Sequence, residues 1–106
     1  MADGDEQELR VVDNRAAMRY EIWSGNDLAG FSTYRVRPGR LDFIHTETEA
    51  GFEGHGVAGR LVHDALEDLR TRRFRVVALC PYVAHYIETH PEYADLLVDG
   101  EVGHRS

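Results

Sequence analysis

A glycine-rich turn in the middle of the chain is the first feature that could carry chemistry. It runs from Glu53 to Gly59 and places three glycines within six residues, at Gly54, Gly56 and Gly59. Glycine lets a backbone approach a ligand closely, and the free N–H groups at the start of a helix bind anions. The pattern therefore predicts a site for a phosphate-bearing ligand.

Three side chains near the turn are candidates for catalysis, and each has a structural alternative. Cys80, the only cysteine, follows an apolar run and precedes Pro81. A thiol beside a helix N-terminus can act as a nucleophile, although a free cysteine is more often a small buried hydrophobe. His45 is a candidate general base or a structural hydrogen-bonding residue. Tyr82 is a candidate general acid or a core aromatic with a polar tip.

The glycines also spell G-x-G-x-x-G, the fingerprint of dinucleotide-binding folds. That fold places the motif after its first strand and an acidic residue at the end of the second. Here three or four strand patterns precede the motif, Cys80 ends the next one, and 106 residues are too few for a doubly wound sheet. We therefore reject this interpretation. The six histidines show no recurrent ligand spacing, and no CxxC or HExxH motif accompanies them, so no metal site is predicted.

Size and charge restrict the class of protein. A chain of 106 residues with 42% hydrophobic residues has room for one domain. The net charge of −7 argues against nucleic acid or an anionic membrane as the main partner. One cysteine fits a reducing compartment, and neither a spanning segment nor a signal peptide is recognised, so we expect a cytoplasmic protein. We expect residues 1–8 to be a disordered acidic tail and residues 9–98 to form the domain.

Apolar periodicity predicts the elements that must position these residues. Alternation predicts four antiparallel strands over residues 9–13, 16–23, 28–36 and 41–46. A helical period follows from Val57 to Leu69, and residues 74–79 predict an inner strand. Pro81 is expected to begin a second helix whose inner face carries Tyr82, Val83, Tyr86 and Ile87, and residues 91–97 are expected to form a last short helix.

Four sequence blocks in this order resemble the small, single-domain branch of the GNAT acyltransferase superfamily. The resemblance spans residues 41–93, and the blocks are Ile44-His45-Thr46-Glu47, Phe52 to Gly59, Leu79-Cys80-Pro81-Tyr82-Val83 and His90-Pro91-Glu92-Tyr93. It implies an α+β fold with a mixed, mostly antiparallel sheet and helices packed on it. It also implies that the fourth and fifth strands splay apart around the pantetheine arm of acetyl-CoA.

The resemblance further implies a function and a set of site residues. The expected activity is an acetyl-CoA-dependent N-acyltransferase for an unidentified amine, with Cys80 close to the thioester, His45 as base and Tyr82 as proton donor. A non-enzymatic CoA-binding or acetyl-CoA-binding module is the alternative, and either is expected as a monomer or homodimer. Glu53 departs from the glutamine or arginine usual at its position. The predicted cofactor-binding residues are Glu53, Gly54, His55, Gly56, Val57, Ala58, Gly59 and Arg60.

Overall fold

A computed structural model describes residues 8–98, which form one five-stranded sheet with two helices. The strands lie side by side in chain order, antiparallel except for the parallel pair of the fourth and fifth. The α+β prediction of a mixed, mostly antiparallel sheet is confirmed. The elements are β1 Leu9–Asn14, β2 Arg19–Ser24, β3 Asp27–Arg37, β4 Arg40–Thr48, α1 Val57–Thr71, β5 Arg75–Ala78, α2 Pro81–Thr89 and a 3-10 helix Pro91–Leu96.

The long helix α1 lies on one face of the sheet and supplies six of the buried apolar residues of the core. Its apolar residues recur every three or four positions, so they form a single buried stripe. Each fully buried leucine contributes about 2 kcal/mol, which fixes α1 firmly on the sheet. The direction of its first turn is therefore set by core packing. The buried residues of α1 are Val57, Leu61, Val62, Ala65, Leu66 and Leu69.

Two predictions about the strands are wrong. β2 begins at Arg19 rather than at residue 16, because residues 14–18 form a hydrogen-bonded turn that ends with Met18 at φ 55°. β5 is an edge strand of the sheet and not an inner one, since it pairs with β4 alone apart from one bridge to Leu97. Its apolar composition is explained by burial on one side only: Val76 is buried, whereas Leu79 beyond the strand end is 57% exposed.

β4 and β5 separate after a short parallel pairing. The pairing ends at Phe43, whose carbonyl oxygen accepts the N–H groups of Leu79 and Cys80 at 3.0 and 2.9 Å. β4 then continues to Thr48, while the chain beyond Cys80 turns away into α2. The two strands thus open towards the end of β4 from which α1 follows.

A bulge in β4 decides which face its last residues occupy. Thr33 pairs with His45 and Tyr34 pairs with Phe43, so Ile44 has no partner in the register. Alternate strand residues point to opposite faces, and an extra residue reverses the alternation. Thr46 therefore lies on the face covered by α1, and His45 lies on the opposite face, called here the outer face.

Two expectations from the sequence concern other parts of the chain. The predicted acidic tail falls almost entirely on residues 1–7, which lie outside the described residues. None of the helices in residues 8–98 is long and apolar enough to cross a membrane.

Candidate functional site

A groove of about 540 Å³ lies between the N-terminal half of α1 and the length of α2. This volume is in the range of small-molecule sites. Each helix contributes residues spaced three or four apart, which is the spacing of one helix face. The residues that line this α1–α2 groove are Gly56, Gly59, Arg60, His63, Tyr82, His85, Tyr86, Thr89 and His90.

The N-terminus of α1 opens into the groove without a cap. The N-cap residue Gly56 has the left-handed φ of 72°, no side chain among the described residues caps the helix, and its first turn carries no acidic residue. The first helical bond runs from the Arg60 N–H to the Gly56 carbonyl at 3.1 Å, so the N–H groups before Arg60 precede the helical ladder. Such N–H groups, together with the helix dipole, favour an anion.

Gly59 keeps the narrow end of the groove open. A Cβ placed on Gly59 would lie 3.7 Å from the hydroxyl oxygen of Tyr82 on the opposite helix. A side chain at this position would therefore fill the space between the two walls. An alanine would fit at Gly59 at this ordinary contact distance but would occupy space between the walls, whereas the glycine at position 56 is required by its backbone angle.

Arg60 and His63 line the α1 wall in fixed positions because both bind Asp64. Arg60 Nε donates to Asp64 Oδ2 at 2.8 Å, and His63 Nδ1 lies 2.9 Å from Asp64 Oδ1. Partial burial alone would raise the pKa of Asp64, but hydrogen bonds from His63 and Arg60 outweigh it and lower the pKa. Asp64 therefore stays ionised and orients two groups that can contact an anion. A guanidinium has five donors, so Arg60 retains donors for a bound group.

Aromatic rings form much of the α2 wall. The rings of Tyr86 and His90 stack with centroids 3.9 Å apart and an angle of 9° between their planes. His90 Nδ1 is 2.8 Å from the carbonyl oxygen of Tyr86, which holds the imidazole in place. Burial raises the pKa of both Tyr82 and Tyr86. Both phenols consequently keep their protons at neutral pH and can donate hydrogen bonds into the groove.

The predicted cofactor-binding residues divide between two sides of the glycine turn. Gly56, Gly59 and Arg60 line the α1–α2 groove, whereas His55 and Val57 line a separate cavity of about 430 Å³ that also touches β1. The remaining three, Glu53, Gly54 and Ala58, line neither cavity.

Glu53, the residue that departs from the usual pattern, has an intraloop role. Its carboxylate accepts the Gly51 N–H at 3.0 Å, so the side chain closes its own loop. This contact accounts for an acidic residue close to a proposed anion site, because the carboxylate is engaged by the backbone of the turn.

Cys80 lies in the core rather than in the groove. The side chain is 2% exposed, and its Sγ is 3.3 Å from Thr46 Oγ1, which is 2.9 Å from Ser32 Oγ. Cys80 is the N-cap residue of α2, and Tyr82 follows two residues later on a different side of that helix. The structure therefore brings Tyr82, but not the thiol, into the groove wall.

His45 lies on the outer face, away from α1. Its side chain is 60% exposed, and Nε2 lies 3.1 Å from Glu47 Oε1 on the same strand. The three candidate catalytic residues thus occupy three environments: the outer face, the core and the groove.

Sequence reasoning missed much of the α2 wall. His85, Thr89 and His90 had no assigned role, and Tyr86 was expected on the inner face of the helix. The spacing of residues 82, 86 and 90 is one helical turn each, and this aromatic stripe was the signal that could have found them. The expected inner face is correct for Val83 and Ile87, but Tyr82 is 39% exposed.

Within residues 8–98 no group of three or more metal-binding side chains occurs.

The fold and the site define a small α+β protein in which an uncapped helix N-terminus lies beside two parallel strands that separate. The sequence model described as GCN5-related N-acetyl-transferase matches residues 19–96, well over half of the chain. The chain belongs to the GCN5-related N-acetyltransferase family, whose members generally use acetyl-CoA.

The fold is also that of a solved structure. The chain is similar to a GCN5-like candidate N-acetyltransferase from Staphylococcus aureus, determined in solution by NMR, with a TM-score of 0.64 and 24% sequence identity. The similarity covers 94% of this chain and 95% of the other, and it supports the fold. A search of the curated proteins found no match.

Proposed function

We propose that the chain binds acetyl-CoA in the α1–α2 groove and transfers an acetyl group to an amine. The observation that carries the proposal is the uncapped N-terminus of α1, which opens into a groove with an aromatic opposite wall. The protein has a net charge of −7, so a polyanion must rely on local donors rather than on the overall field. The helix N–H groups and Arg60 supply such donors.

The residues present fit this acyl donor. The amides at Gly56 and Gly59 and the Arg60 guanidinium would hold the pyrophosphate. The edge of β4 beyond Phe43, which has no strand partner on the β5 side, would take the pantetheine arm. Acetyl-CoA supplies an acetyl group activated as a thioester.

Tyr82 is the proposed proton donor to the leaving thiolate. It follows Cys80 by two residues in the first turn of α2, and its phenol is protonated at neutral pH because the ordinary pKa of tyrosine is about 10 and burial raises it further. A protonated acid at this position can neutralise a thiolate as it leaves. We expect Tyr82→Phe to lower kcat while leaving the affinity for acetyl-CoA within about threefold.

His45 is the proposed base for the amine. Its Nε2 lies 3.1 Å from Glu47 Oε1, a carboxylate oxygen that can orient the imidazole. Because His45 lies on the outer face, the amine would approach from the side of the sheet opposite α1. We expect His45→Gln to lower kcat without weakening acetyl-CoA binding, and a change in acetyl-CoA affinity instead would contradict this role.

Cys80 is proposed to lie near the thioester, where Sγ either accepts the acetyl group or only positions it. The covalent route requires the buried thiol to leave its contact with Thr46, whereas direct attack by the amine does not. All twelve basic residues counted as lysine or arginine are arginines, so no lysine can be acetylated adventitiously. Mass spectrometry during turnover is therefore a clean test. No adduct on Cys80, together with a fully active Cys80→Ala variant, would exclude the covalent route.

Calorimetry with acetyl-CoA, followed by CoA-release assays over a panel of amines, tests the function. We expect saturable binding at one site per chain and release of CoA with at least one class of amine. Arg60→Gln should weaken binding about tenfold if the guanidinium contacts a phosphate. The matched control is Arg35→Gln, which alters an exposed arginine of β3 with no place in the groove. Absence of any binding to folded protein would reject the proposal.

A non-enzymatic acetyl-CoA-binding module is the second candidate. The specific observation in its favour is the separation of the candidate catalytic residues, since Cys80 is buried and His45 is on the outer face. Tight binding of acetyl-CoA without CoA release on any amine would favour the module over the enzyme.

A further inference from the structure

The stacked rings of Tyr86 and His90 form a part of the α1–α2 groove that the proposed acyl transfer does not use. Both rings line the α1–α2 groove, at the end away from the Gly59–Tyr82 constriction. The two rings are nearly parallel, and stacking at a centroid distance of 3.9 Å covers one face of each ring, so a further ring can stack only on an outer face of the pair. The pair therefore lies away from the constriction, and neither ring takes part in the proton transfers proposed above.

Several contacts hold this pair in place before any ligand arrives. Thr89 Oγ1 lies 3.1 Å from His90 Nδ1 and also donates to backbone carbonyls of α2. The Tyr86 ring lies 6.3 Å from that of buried Tyr93, whose hydroxyl binds Glu67 on α1. A surface fixed in this way loses little conformational freedom on binding, which favours affinity.

The hydrogen bonds of His90 also determine its available donor and acceptor groups. A carbonyl oxygen can only accept, so the contact of Nδ1 with the Tyr86 carbonyl places the proton on Nδ1. In the neutral ring Nε2 then remains an acceptor. The lone pair of Nε2 lies in the plane of the ring, so it can accept a hydrogen bond from a group beside the stack and not from a base stacked on the ring itself.

We propose that the Tyr86–His90 pair is a stacking platform for the adenine base of the bound acyl donor, and that it supplies much of the preference for the complete nucleotide over its pantetheine part. This inference rests on the proposed function and adds the residues that recognise the nucleotide. Base–aromatic stacking contributes about 1–3 kcal/mol per base, which corresponds to about 5- to 150-fold in affinity. The anion site at the start of α1 and the platform on α2 then bind two neighbouring groups of one ligand, the pyrophosphate and the base.

Calorimetry on the full chain with CoA and with 4′-phosphopantetheine, which lacks the nucleotide, tests the platform. We expect wild type to bind CoA at least about tenfold more tightly, and adenosine 3′,5′-bisphosphate to compete with CoA. Tyr86→Leu should remove most of that preference by weakening CoA binding and leaving 4′-phosphopantetheine unchanged. Tyr86→Phe, which keeps the ring, should behave as wild type.

Phe31→Leu is the matched control, because it removes a half-buried ring from β3 on the outer face. It should alter neither affinity. His90→Ala provides a second test should Tyr86→Leu fail to fold, and the comparison of the two ligands on wild type needs no variant. Equal binding of CoA and 4′-phosphopantetheine would overturn the platform alone, as would equal weakening of both by Tyr86→Leu. Binding of neither compound would overturn the proposed function together with the platform.

Discussion

The two ends of α1 lie about 22 Å apart along the helix axis and differ in how their polar groups are paired. At the C-terminal end Tyr20 donates to Asp68 at 2.7 Å, Tyr34 donates to Asp13, and Arg72 binds both Asp13 and the Tyr20 hydroxyl. We call these five residues the tyrosine–aspartate network. At the N-terminal end no side chain among the described residues caps the helix, and the wall opposite is half exposed.

This difference separates groups that stabilise the protein from groups that are available to a ligand. In the tyrosine–aspartate network the tyrosine hydroxyls and the carboxylates pair inside the fold, although the buried Arg72 Nε has only an ionic contact of 3.4 Å to Asp68. Removal of these groups should therefore affect stability and not binding. In the α1–α2 groove the N–H groups at the start of α1 have no side-chain cap. Substitutions there should therefore affect ligand binding, and they can even raise the free energy of unfolding. Four predictions test this division, in order of decreasing effect.

Asp13→Ala should give the largest loss of stability. Asp13 accepts hydrogen bonds from Tyr34, Arg15 and Arg72, and its side chain is 11% exposed. Each buried donor left without a partner costs about 1–3 kcal/mol, so we expect the free energy of unfolding to fall by about 3 kcal/mol. Urea denaturation measures this loss. The affinity of the folded variant for acetyl-CoA should be unchanged, and a parallel loss of affinity would contradict the division.

Alkaline pH should unfold the protein through the same network. Burial, followed by hydrogen bonds to Asp68 and Asp13, raises the pKa of Tyr20 and of Tyr34 well above the ordinary value. The folded state thus holds protons that the unfolded chain releases near pH 10, so this stability is complete below pH 10 and declines above it.

Tyr93 belongs to the same titration, because burial and its hydrogen bond to Glu67 raise its pKa as well. Each of the three tyrosines should lower the free energy of unfolding by about 1 kcal/mol per pH unit between pH 10.5 and 11.5. Urea denaturation at a series of pH values measures the slope. The absence of lysine removes the main competing titration. Tyr20→Phe should reduce the slope by about a third, and an unchanged slope in this variant would show that other groups dominate.

Gly59→Ala should change binding and stability in opposite directions. Alanine inside a helix is favoured over glycine by about 0.5–1 kcal/mol, and the added Cβ meets the Tyr82 hydroxyl oxygen at an ordinary contact distance of 3.7 Å. We expect a slightly more stable protein that binds acetyl-CoA about tenfold more weakly, because the methyl group fills the constriction. Thermal denaturation and calorimetry on the same sample measure both. An unchanged affinity would place the ligand elsewhere.

Asp95→Ala should have the smallest effect. Asp95 binds Arg70 at 2.9 Å, but its side chain is 64% exposed, and exposed ion pairs contribute about 0.5 kcal/mol. Urea denaturation should therefore show a loss several times smaller than that of Asp13→Ala. A comparable loss would mean that the number of charges at the C-terminal end of α1 matters more than their burial.

Much of the fold could be predicted from local pattern. The period of the apolar residues located α1 to within two residues at its C-terminal end, and Pro81 marked the start of α2. The glycine turn was correctly expected at the helix N-terminus. These features depend on neighbouring residues, whose spacing is visible in one dimension.

The arrangement of the site depended on features that spacing cannot show. The unpaired Ile44 reverses the alternation in β4, so His45 and Thr46 exchange faces relative to an unbroken strand. Cys80 is the last residue before α2, and packing against Thr46 directed its side chain inward rather than towards the glycine turn. The bulge at Ile44 and the inward direction of the Cys80 side chain each depend on a single residue. One residue is too few to alter the periodic pattern of a strand or a helix.

The carbonyl group of Phe43 has a consequence for the dimensions of the groove. Because it accepts both Leu79 and Cys80, it anchors the start of α2 to the middle of β4, while α1 follows from the end of the same strand. The six residues from Phe43 to Thr48 span about 16 Å, which is the distance along β4 between the anchor of α2 and the strand end that leads towards α1. The number of residues in this segment therefore sets how long an extended ligand arm the free edge of β4 can lie against.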